Sequence, residues 1–422
     1  MDFIVRNAKI IDSSSRHHGK TLDVLIKNGK IQKIGKSIQT EGEKEVKAKG
    51  LHLSKGWIDL MVNYQDPGNE YKEDLHSGLN ASASGGFTTV CVSPQTLPRR
   101  DSKSQVEYLI NQTKDHLVKA YPYGTVSKNM KGKELAELAD MHASGAIAFT
   151  EGKHSINNPN LLYRALLYAK SFDGLILNFP NTSEMSLGGV MNEGKVSTGL
   201  GLKGIPELAE VLMVNRDLHL LEYTDSRLHF STLSSPDSLD LLKKAKKSAL
   251  KISCDLASYH LLLNDEELDS FDSRFKTLPP LRSKESQKKL IKAVKDGLVD
   301  ALSSDHLPED IENKKKELDH AAFGIINAQT AFAAANTALS PHIEIEQIIA
   351  LFTDGPTKIL KLKSESIEEG EKVNLSLFCP EEEFVFSEKD ILSKSTNSPL
   401  IDRKLKGKVV GVIRGKKAFF NP

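Results

Sequence analysis

The chain has 422 residues, of which 39% are hydrophobic and 27% are charged, so it can bury one large core and is too long for a single small module. Lysine and arginine together number 57 against 56 aspartates and glutamates, which leaves no overall positive field for nucleic acid or an anionic membrane. We therefore expect small-molecule or protein partners, and neither nucleic acid nor membrane.

The N-terminal residues bear on where the protein works. Charged and polar side chains occur throughout residues 1–12, which is unlike the apolar core of a secretory leader. No run of about 18 apolar residues, the length that spans a bilayer, occurs in the chain. We expect a cytoplasmic protein.

The two ends of the chain are predicted to form one small β-sandwich domain, built from residues 1–54 and 361–422. In both segments apolar and polar residues alternate as in paired strands. Within the alternating stretch 23–35, Asn28 and Gly29 stand where a type I′ hairpin turn would place them.

Residues 55–360 are predicted to form a (β/α)8 TIM-type barrel of the α/β class. Short β-branched runs alternate here with amphipathic helical patterns, such as the one over residues 103–120. Strand, helix, strand repeated over about 300 residues favours a closed parallel barrel. Functional side chains are then expected at the C-terminal ends of the strands. The strand candidates are 88–93, 145–150, 174–179, 227–233, 250–256 and 300–305.

The most informative motif is GWIDLMVNYQDPG at residues 56–68, followed by GGFTTV at 85–90. Further motifs extend to residue 332, among them GAIAFT, PPLR, SDH and FGIINAQTAF. In these motifs the chain resembles the dihydroorotases of the cyclic amidohydrolase family. The resemblance implies a hydrolase of cyclic amides in pyrimidine biosynthesis, with zinc in its active site.

The resemblance also implies which residues stand at the metal positions. The family's first barrel strand reads Asp-x-His-x-His, and both imidazoles point to the metal. These imidazole positions are Met61 and Asn63 in this chain. The bridging carboxylate falls at or next to Gly152, and two further histidine positions fall on Asn178 and Thr232. A thioether and neutral amides are poor zinc ligands, so we predict no bound metal and no other cofactor.

One functional position survives, because Asp305 corresponds to the aspartate that contacts the metal and shuttles a proton in the family. The substrate positions differ. The family arginine that clamps the substrate carboxylate corresponds to Gln65, which loses a bidentate charged pair. Two family asparagines correspond to Gln95 and Leu278, and a histidine corresponds to Glu309. If both the metal-binding and the substrate-binding side chains are lost, selection for the original reaction is expected to have been relaxed.

Three functions remain open at this point. The first is a catalytically inactive homologue with a structural or regulatory role, with aspartate transcarbamoylase as candidate partner, because inactive dihydroorotase-like chains scaffold that enzyme. Family barrels usually pair, so the resemblance implies a homodimer. The second is an active dihydroorotase or related cyclic amidohydrolase with an altered site around Asp305. The third is a small-molecule sensor that uses Gln65, Gln95 and Asn63 as neutral hydrogen-bonding groups.

Two further interpretations concern the remaining polar residues. Asp305 can equally be retained for structure, accepting backbone N–H bonds at the end of the last strand. A substitute metal site is disfavoured, since no pair of the remaining histidines has ligand spacing on a strand or a helix. The histidines considered for such a site are His154, His229, His260 and His306.

Overall fold

The computed structural model describes residues 2–422, and its first strands belong to a small sheet. Asn28 and Gly29 have φ values of 52° and 75°, as a type I′ turn requires, and the predicted hairpin is confirmed. The strands before the barrel are β1 (Phe3–Ile11), β2 (Thr21–Lys27), β3 (Lys30–Gly35), β4 (Lys44–Val46) and β5 (His52–Lys55).

The middle of the chain forms the predicted (β/α)8 barrel. Its elements include β6 (Trp57–Val62), β7 (Phe87–Val92), β8 (Lys119–Gly124), β9 (Ala148–Thr150), β10 (Ile176–Asn178), the separate pair β11 (Met191–Asn192) and β12 (Gly204–Ile205), then β13 (Leu228–Leu233), β14 (Ile252–Ala257) and β15 (Ala301–Ser303). The barrel order is β6-β7-β8-β9-β10-β13-β14-β15. A parallel bridge between Val62 and His306 joins β6 to the end of β15. At this closure the Asn63 N–H donates to the carbonyl of His306, the residue after Asp305, at 2.8 Å.

The C-terminal strands complete the small sheet. They are β16 (Asn374–Val385), β17 (Lys404–Arg414) and β18 (Lys417–Phe420). The sheet has eight strands in the order β18-β17-β16-β5-β1-β2-β3, with β4 beside β1. Because β16 pairs antiparallel with β5, the two chain ends share one sheet, as the alternating patterns predicted. The sheet curls to form the small domain.

The helices connect the strands and cover the barrel, and none within residues 2–422 is long and apolar enough to cross a membrane. They are α1 (Leu75–Ser84), α2 (Lys103–Thr113), α3 (Leu138–Ala143), α4 (Pro159–Lys170), α5 (Ser183–Ser186), α6 (Lys195–Leu200), α7 (Leu208–Thr224), α8 (Pro236–Lys247), α9 (Lys284–Lys295), α10 (Ile311–Lys314), α11 (Ala331–Leu339), α12 (Ile345–Ala350) and α13 (Asp354–Ile359).

One helix prediction extended too far along the chain. The amphipathic pattern over residues 103–120 predicted a helix to its end, whereas α2 ends at Thr113. The last two residues of the pattern, Lys119 and Ala120, begin β8, where they pair in parallel with β7. Tertiary strand pairing therefore overrides the local helical spacing at this point.

Trp57 lies where the chain passes from the small sheet into the barrel. Its ring is fully buried, and its indole N–H donates to Ser54 Oγ at 2.9 Å. Gly86 has φ +94°, and a Cβ there would lie 2.4 Å from the indole ring, so this position requires glycine. Four aromatic rings surround the indole with centroids 4.6 to 6.2 Å away: Phe87, Phe332, Phe352 and Phe378.

Candidate functional site

A largely buried lysine lies at the C-terminal end of the barrel. Lys153 follows β9 and its ammonium is 2.6 Å from Asp305 Oδ1, with side chains 12% and 4% exposed. The same Nζ is 3.4 Å from Thr232 Oγ1 and 4.9 Å from the ring centroid of Phe179. A cation thus contacts the surviving carboxylate, among the residues that the sequence analysis assigned to the metal.

Asp305 has both carboxylate oxygens occupied. Its Oδ1 accepts from Lys153, and its Oδ2 accepts from the Tyr259 hydroxyl at 2.8 Å. Burial raises the pKa of the Asp305 carboxyl, and the Lys153 charge and the two hydrogen bonds oppose that rise. The partners are side chains rather than the backbone N–H groups that a purely structural aspartate was expected to bind.

Neutral hydrogen bonds connect the next predicted positions. Asn63 Nδ2 donates to Gln95 Oε1 at 3.4 Å, and the Lys153 backbone N–H donates to the same oxygen at 3.0 Å. Gly152 has φ +58°, and a Cβ there would lie 2.2 Å from Gln95 Oε1. Asn63, Gln95, Gly152, Thr232 and Asp305 are therefore brought together, with Lys153 as the common contact or neighbour.

The backbone of this site is strained at three positions. Gln65, Thr232 and Asp305 have φ values of 58°, 55° and 52°. A β-branched residue such as threonine rarely adopts this left-handed conformation. Strain of this kind concentrates at functional sites, where the surrounding structure imposes it. The left-handed backbone at these three positions therefore makes the surroundings of Asp305 a candidate functional site.

Asn178 is turned away from Lys153. Its Nδ2 donates to Asp217 Oδ2 on α7 at 2.6 Å, and its Oδ1 accepts from the Ile156 backbone N–H at 3.0 Å. Burial raises the pKa of Asp217 to about 6. Asn178 thus uses its amide to bind a buried carboxyl and a loop.

Two of the predicted substrate positions, Gln65 and Glu309, have polar partners within the chain. Gln65 donates to the Pro308 carbonyl at 2.8 Å, and Glu309 forms an ion pair with Lys72 at 2.6 Å. A third substrate position, Leu278, is half-buried in the segment before α9. The predicted metal position Met61 packs within an apolar cluster of the barrel. Gln65 and Glu309 are therefore engaged in contacts within the chain.

The four histidines considered for a substitute metal site do not lie together at one site. His229 lies between Ser253 Oγ and Asp255 Oδ2, each 2.8 Å away. His306 Nδ1 accepts from the Asn327 N–H at 3.1 Å, so its Nε2 carries the proton. Burial lowers the pKa of His260 to about 3, and His154 is exposed.

These donors do not fit the zinc centre that the resemblance implies. Within residues 2–422, no three His, Cys, Asp or Glu side chains lie where they could hold a metal ion. A catalytic zinc needs about three nitrogen, sulfur or carboxylate ligands with one open position. The Lys153 ammonium instead pairs with Asp305. A zinc ion bound to the same carboxylate would be repelled by this ammonium.

Comparison with known proteins identifies the lineage. A family model described as Dihydro-orotase-like matches residues 50–238. The dihydroorotase of Acetivibrio thermocellus is 35% identical over 409 residues, which cover 96% of each chain. This chain belongs to the dihydroorotase family. The dihydroorotase of Geobacter metallireducens is 33% identical and covers 100% of both chains.

Solved structures agree with this family's fold. The L-hydantoinase (dihydropyrimidinase) from Arthrobacter aurescens superposes with a TM-score of 0.85 at 20% identity, covering 99% of this chain and 95% of that one. The dihydropyrimidinase from Brevibacillus agri superposes with a TM-score of 0.82 at 18% identity, covering 100% and 95%. At these identities the likeness establishes the barrel fold and nothing about activity.

Sequence analysis of this dihydroorotase homologue missed Lys153, although a signal for it exists. A buried carboxylate that loses its metal needs another cation or must be neutralised, because an unpaired buried charge is costly. Lys153 is the first cationic residue after β9, beside the uncertain carboxylate position at Gly152. A search for a replacement cation near retained Asp305 would have identified it.

Asp59, in the first barrel strand of this dihydroorotase homologue, gives a prediction for pH dependence. Its Oδ1 accepts from the N–H groups of Ser304 at 3.0 Å and Met61 at 3.2 Å. Burial raises its pKa to about 7, so the folded state binds the Asp59 proton more tightly than the unfolded chain does. The protonated Asp59 carboxyl therefore stabilises the folded state. This stabilisation is fully present below the pKa of Asp59 in the unfolded chain, and it is lost as pH rises through the pKa of Asp59 in the folded chain.

We therefore expect Asp59→Asn to gain stability relative to wild type, by about 3 kcal/mol, as pH rises from about 4 to 7. Asparagine does not titrate and can keep both backbone hydrogen bonds. Urea unfolding of both proteins across this range measures the difference. Exposed Asp240 provides the control Asp240→Asn, whose difference from wild type should stay within about 0.5 kcal/mol. A pH-independent difference for Asp59→Asn would refute the prediction.

Proposed function

We propose that this chain is a catalytically inactive dihydroorotase homologue with a structural or regulatory role in pyrimidine biosynthesis. The observation that carries the proposal is the buried ion pair between Lys153 Nζ and Asp305 Oδ1, at 2.6 Å. The ammonium neutralises the carboxylate as a metal would, but it has no open coordination position at which to activate water. Hydrolysis of a cyclic amide then lacks its nucleophile.

Acid–base chemistry by Asp305 alone does not compensate. A general base needs a free oxygen within hydrogen-bonding reach of the water or substrate proton. The two Asp305 oxygens already accept from Lys153 and the Tyr259 hydroxyl. The substrate carboxylate also lacks its clamp, because Gln65 has no charge and donates to Pro308.

The same proposal assigns the degenerate positions by alignment to the family. We infer that Met61, Asn63, Asn178 and Thr232 stand at former metal positions, with the bridging position at or next to Gly152. The former substrate positions in this proposal are Gln65, Gln95, Leu278 and Glu309.

Aspartate transcarbamoylase is the candidate partner, and a homodimer is the expected state of the chain alone. Two observations support this: the chain matches dihydroorotases over its length, and the Asp305 carboxylate is paired with Lys153. A surface used for assembly gives a reason to keep the fold when catalysis is lost. The partner itself comes from the resemblance to inactive dihydroorotase-like scaffolds.

If the chain is catalytically inactive, the purified protein should contain no stoichiometric metal. It should also not hydrolyse dihydroorotate at about pH 7 to 8, the range in which metal-bound hydroxide acts. Elemental analysis and a dihydroorotate assay measure these properties. The Acetivibrio thermocellus dihydroorotase, assayed in parallel with added zinc, is the positive control. Turnover that Asp305→Asn abolishes and exposed Asp240→Asn leaves intact would instead establish an active, altered site.

The assembly half is tested separately with the transcarbamoylase from the same organism. We expect the mixture to elute as one complex in size-exclusion chromatography with light scattering. The Acetivibrio thermocellus dihydroorotase serves as the control for nonspecific association. Separate elution at concentrations of about 10 μM, where standard interfaces are occupied, would refute the scaffold role and leave the activity result unaffected.

A further inference from the structure

A large basic cavity lies at the opposite end of the barrel from Lys153. It measures about 760 Å³ and is bounded by the N-terminal ends of β6, β7 and β8 and by turns of the small sheet. The hairpin turn at Asn28 and Gly29 forms one wall, and Gly415, in the turn between β17 and β18, forms another. Its volume is within the range of small-molecule sites, about 300 to 1,000 Å³.

The lining carries a concentration of unpaired positive charge. Six cationic groups that line the cavity have no carboxylate of residues 2–422 within 4.0 Å. The lining contains one acidic residue, Glu365. A further lysine, Lys55, is already paired with Asp354 at 2.6 Å and is not counted. The six unpaired groups are Lys30, Lys119, Lys363, Lys372, Arg414 and Lys416.

Arg414 is the most informative of these groups. Its side chain is half-buried, and its guanidinium donates to the Leu117 carbonyl at 3.4 Å. Burial lowers the pKa of Arg414, which reflects a cation held out of water without a neighbouring carboxylate. A guanidinium fork with donors to spare is the group that binds phosphate and carboxylate oxygens best.

The charge is concentrated in the cavity and does not reflect overall composition. The chain has 57 basic and 56 acidic residues, so an even distribution would give paired charges here. Like charges gathered in a concave site repel one another and focus a positive potential within it. A bound anion with several charges relieves that repulsion.

We propose that this cavity binds a small polyanion of the polyphosphate class. Lysine ammonium groups from the start of β3 (Lys30), the residues just before β16 (Lys372) and the segment after α13 (Lys363) would contact the anion, and Arg414 contributes its fork. Tyr121 and Ile58 also line the cavity and offer an apolar surface beside the charges. The site is separate from the dihydroorotase-type centre, so it does not depend on whether that centre is active.

Titration calorimetry with the full chain tests the proposal, using inorganic tripolyphosphate as the probe. We expect saturable one-to-one binding at about 50 mM salt, weakened at least tenfold at about 500 mM because the contacts are charge–charge contacts. The variant Lys30→Gln/Lys372→Gln removes two exposed cations and should weaken binding at least tenfold. Exposed Lys243 and Lys247 on α8 lie outside the cavity, and Lys243→Gln/Lys247→Gln should bind as wild type does.

Two further arms separate the possible sources and guard against misfolding. ATP that binds as tightly as tripolyphosphate assigns recognition to the phosphates, and tighter ATP binding adds a nucleoside contact near Tyr121; both support the site. If the double variant melts early, Lys363→Gln in the loop after α13 repeats the test. Absence of saturable binding at low salt, or equal weakening in the α8 control, overturns the proposal.

Discussion

Lys153→Met is expected to lower the free energy of unfolding by about 3–5 kcal/mol at pH 7, the cost of leaving one partner of a buried ion pair alone. Methionine keeps most of the length and apolar stem of the side chain, so the change mainly removes the ammonium. Asp305 is 4% exposed and would keep only the Tyr259 hydroxyl as a partner. Urea denaturation followed by circular dichroism measures the loss.

The controls separate burial from charge. Lys103 pairs with Glu107 at 3.7 Å on exposed α2, with side chains 63% and 47% exposed, so Lys103→Met should cost at most about 0.5 kcal/mol. The double variant Lys153→Met/Asp305→Asn removes both charges and should recover most of the loss. Equal losses for Lys153→Met and Lys103→Met would mean that the pair does not hold the barrel mouth together.

The same variant has a functional use. If Lys153 replaces a metal, its removal leaves Asp305 without a cation but restores no other ligand. Under the proposed function, Lys153→Met with added zinc is expected to show no dihydroorotate hydrolysis, because Met61 and Asn63 do not supply imidazole ligands.

Trp57→Ala is expected to cost about 3–5 kcal/mol, the usual range for removing a fully buried large aromatic side chain. The indole packs against rings from the barrel and from the small sheet, including Phe332 at 4.6 Å and Phe378 at 5.3 Å between centroids. The substitution also removes the hydrogen bond from the indole N–H to Ser54 Oγ. The loss arises from a cavity between the two sheets that the surrounding rings cannot fill.

Thermal and urea unfolding measure this effect, with Tyr223→Ala as the control. Tyr223 is 78% exposed and contacts one neighbouring ring, that of Tyr163, at 5.9 Å. We expect the control to stay within about 1 kcal/mol of wild type. A similar small change for Trp57→Ala would contradict a shared core between barrel and sheet.

Local patterns were sufficient for much of the fold. Asn28-Gly29 predicted its hairpin because few residues other than these adopt two consecutive positive φ values. The alternation of β-branched runs and helical spacing predicted the barrel, since each signal depends on residues close in sequence. The helix expected over residues 103–120 failed at Lys119, because pairing with β7 is a long-range contact.

The candidate site likewise has features that are local in sequence and features that depend on the tertiary structure. By itself the amino-acid sequence determined the family, because motif positions are local. It also predicted that Met61 and Asn63 stand at former metal positions and that Asp305 is retained. Only the tertiary structure decided that Lys153 meets Asp305, and that six cations from distant segments surround one cavity. Lys153 and Asp305 lie more than 100 positions apart in sequence, and the six cavity cations come from segments at both ends and in the middle of the chain. How such segments meet is set by the closure of the barrel and by the pairing of the small sheet.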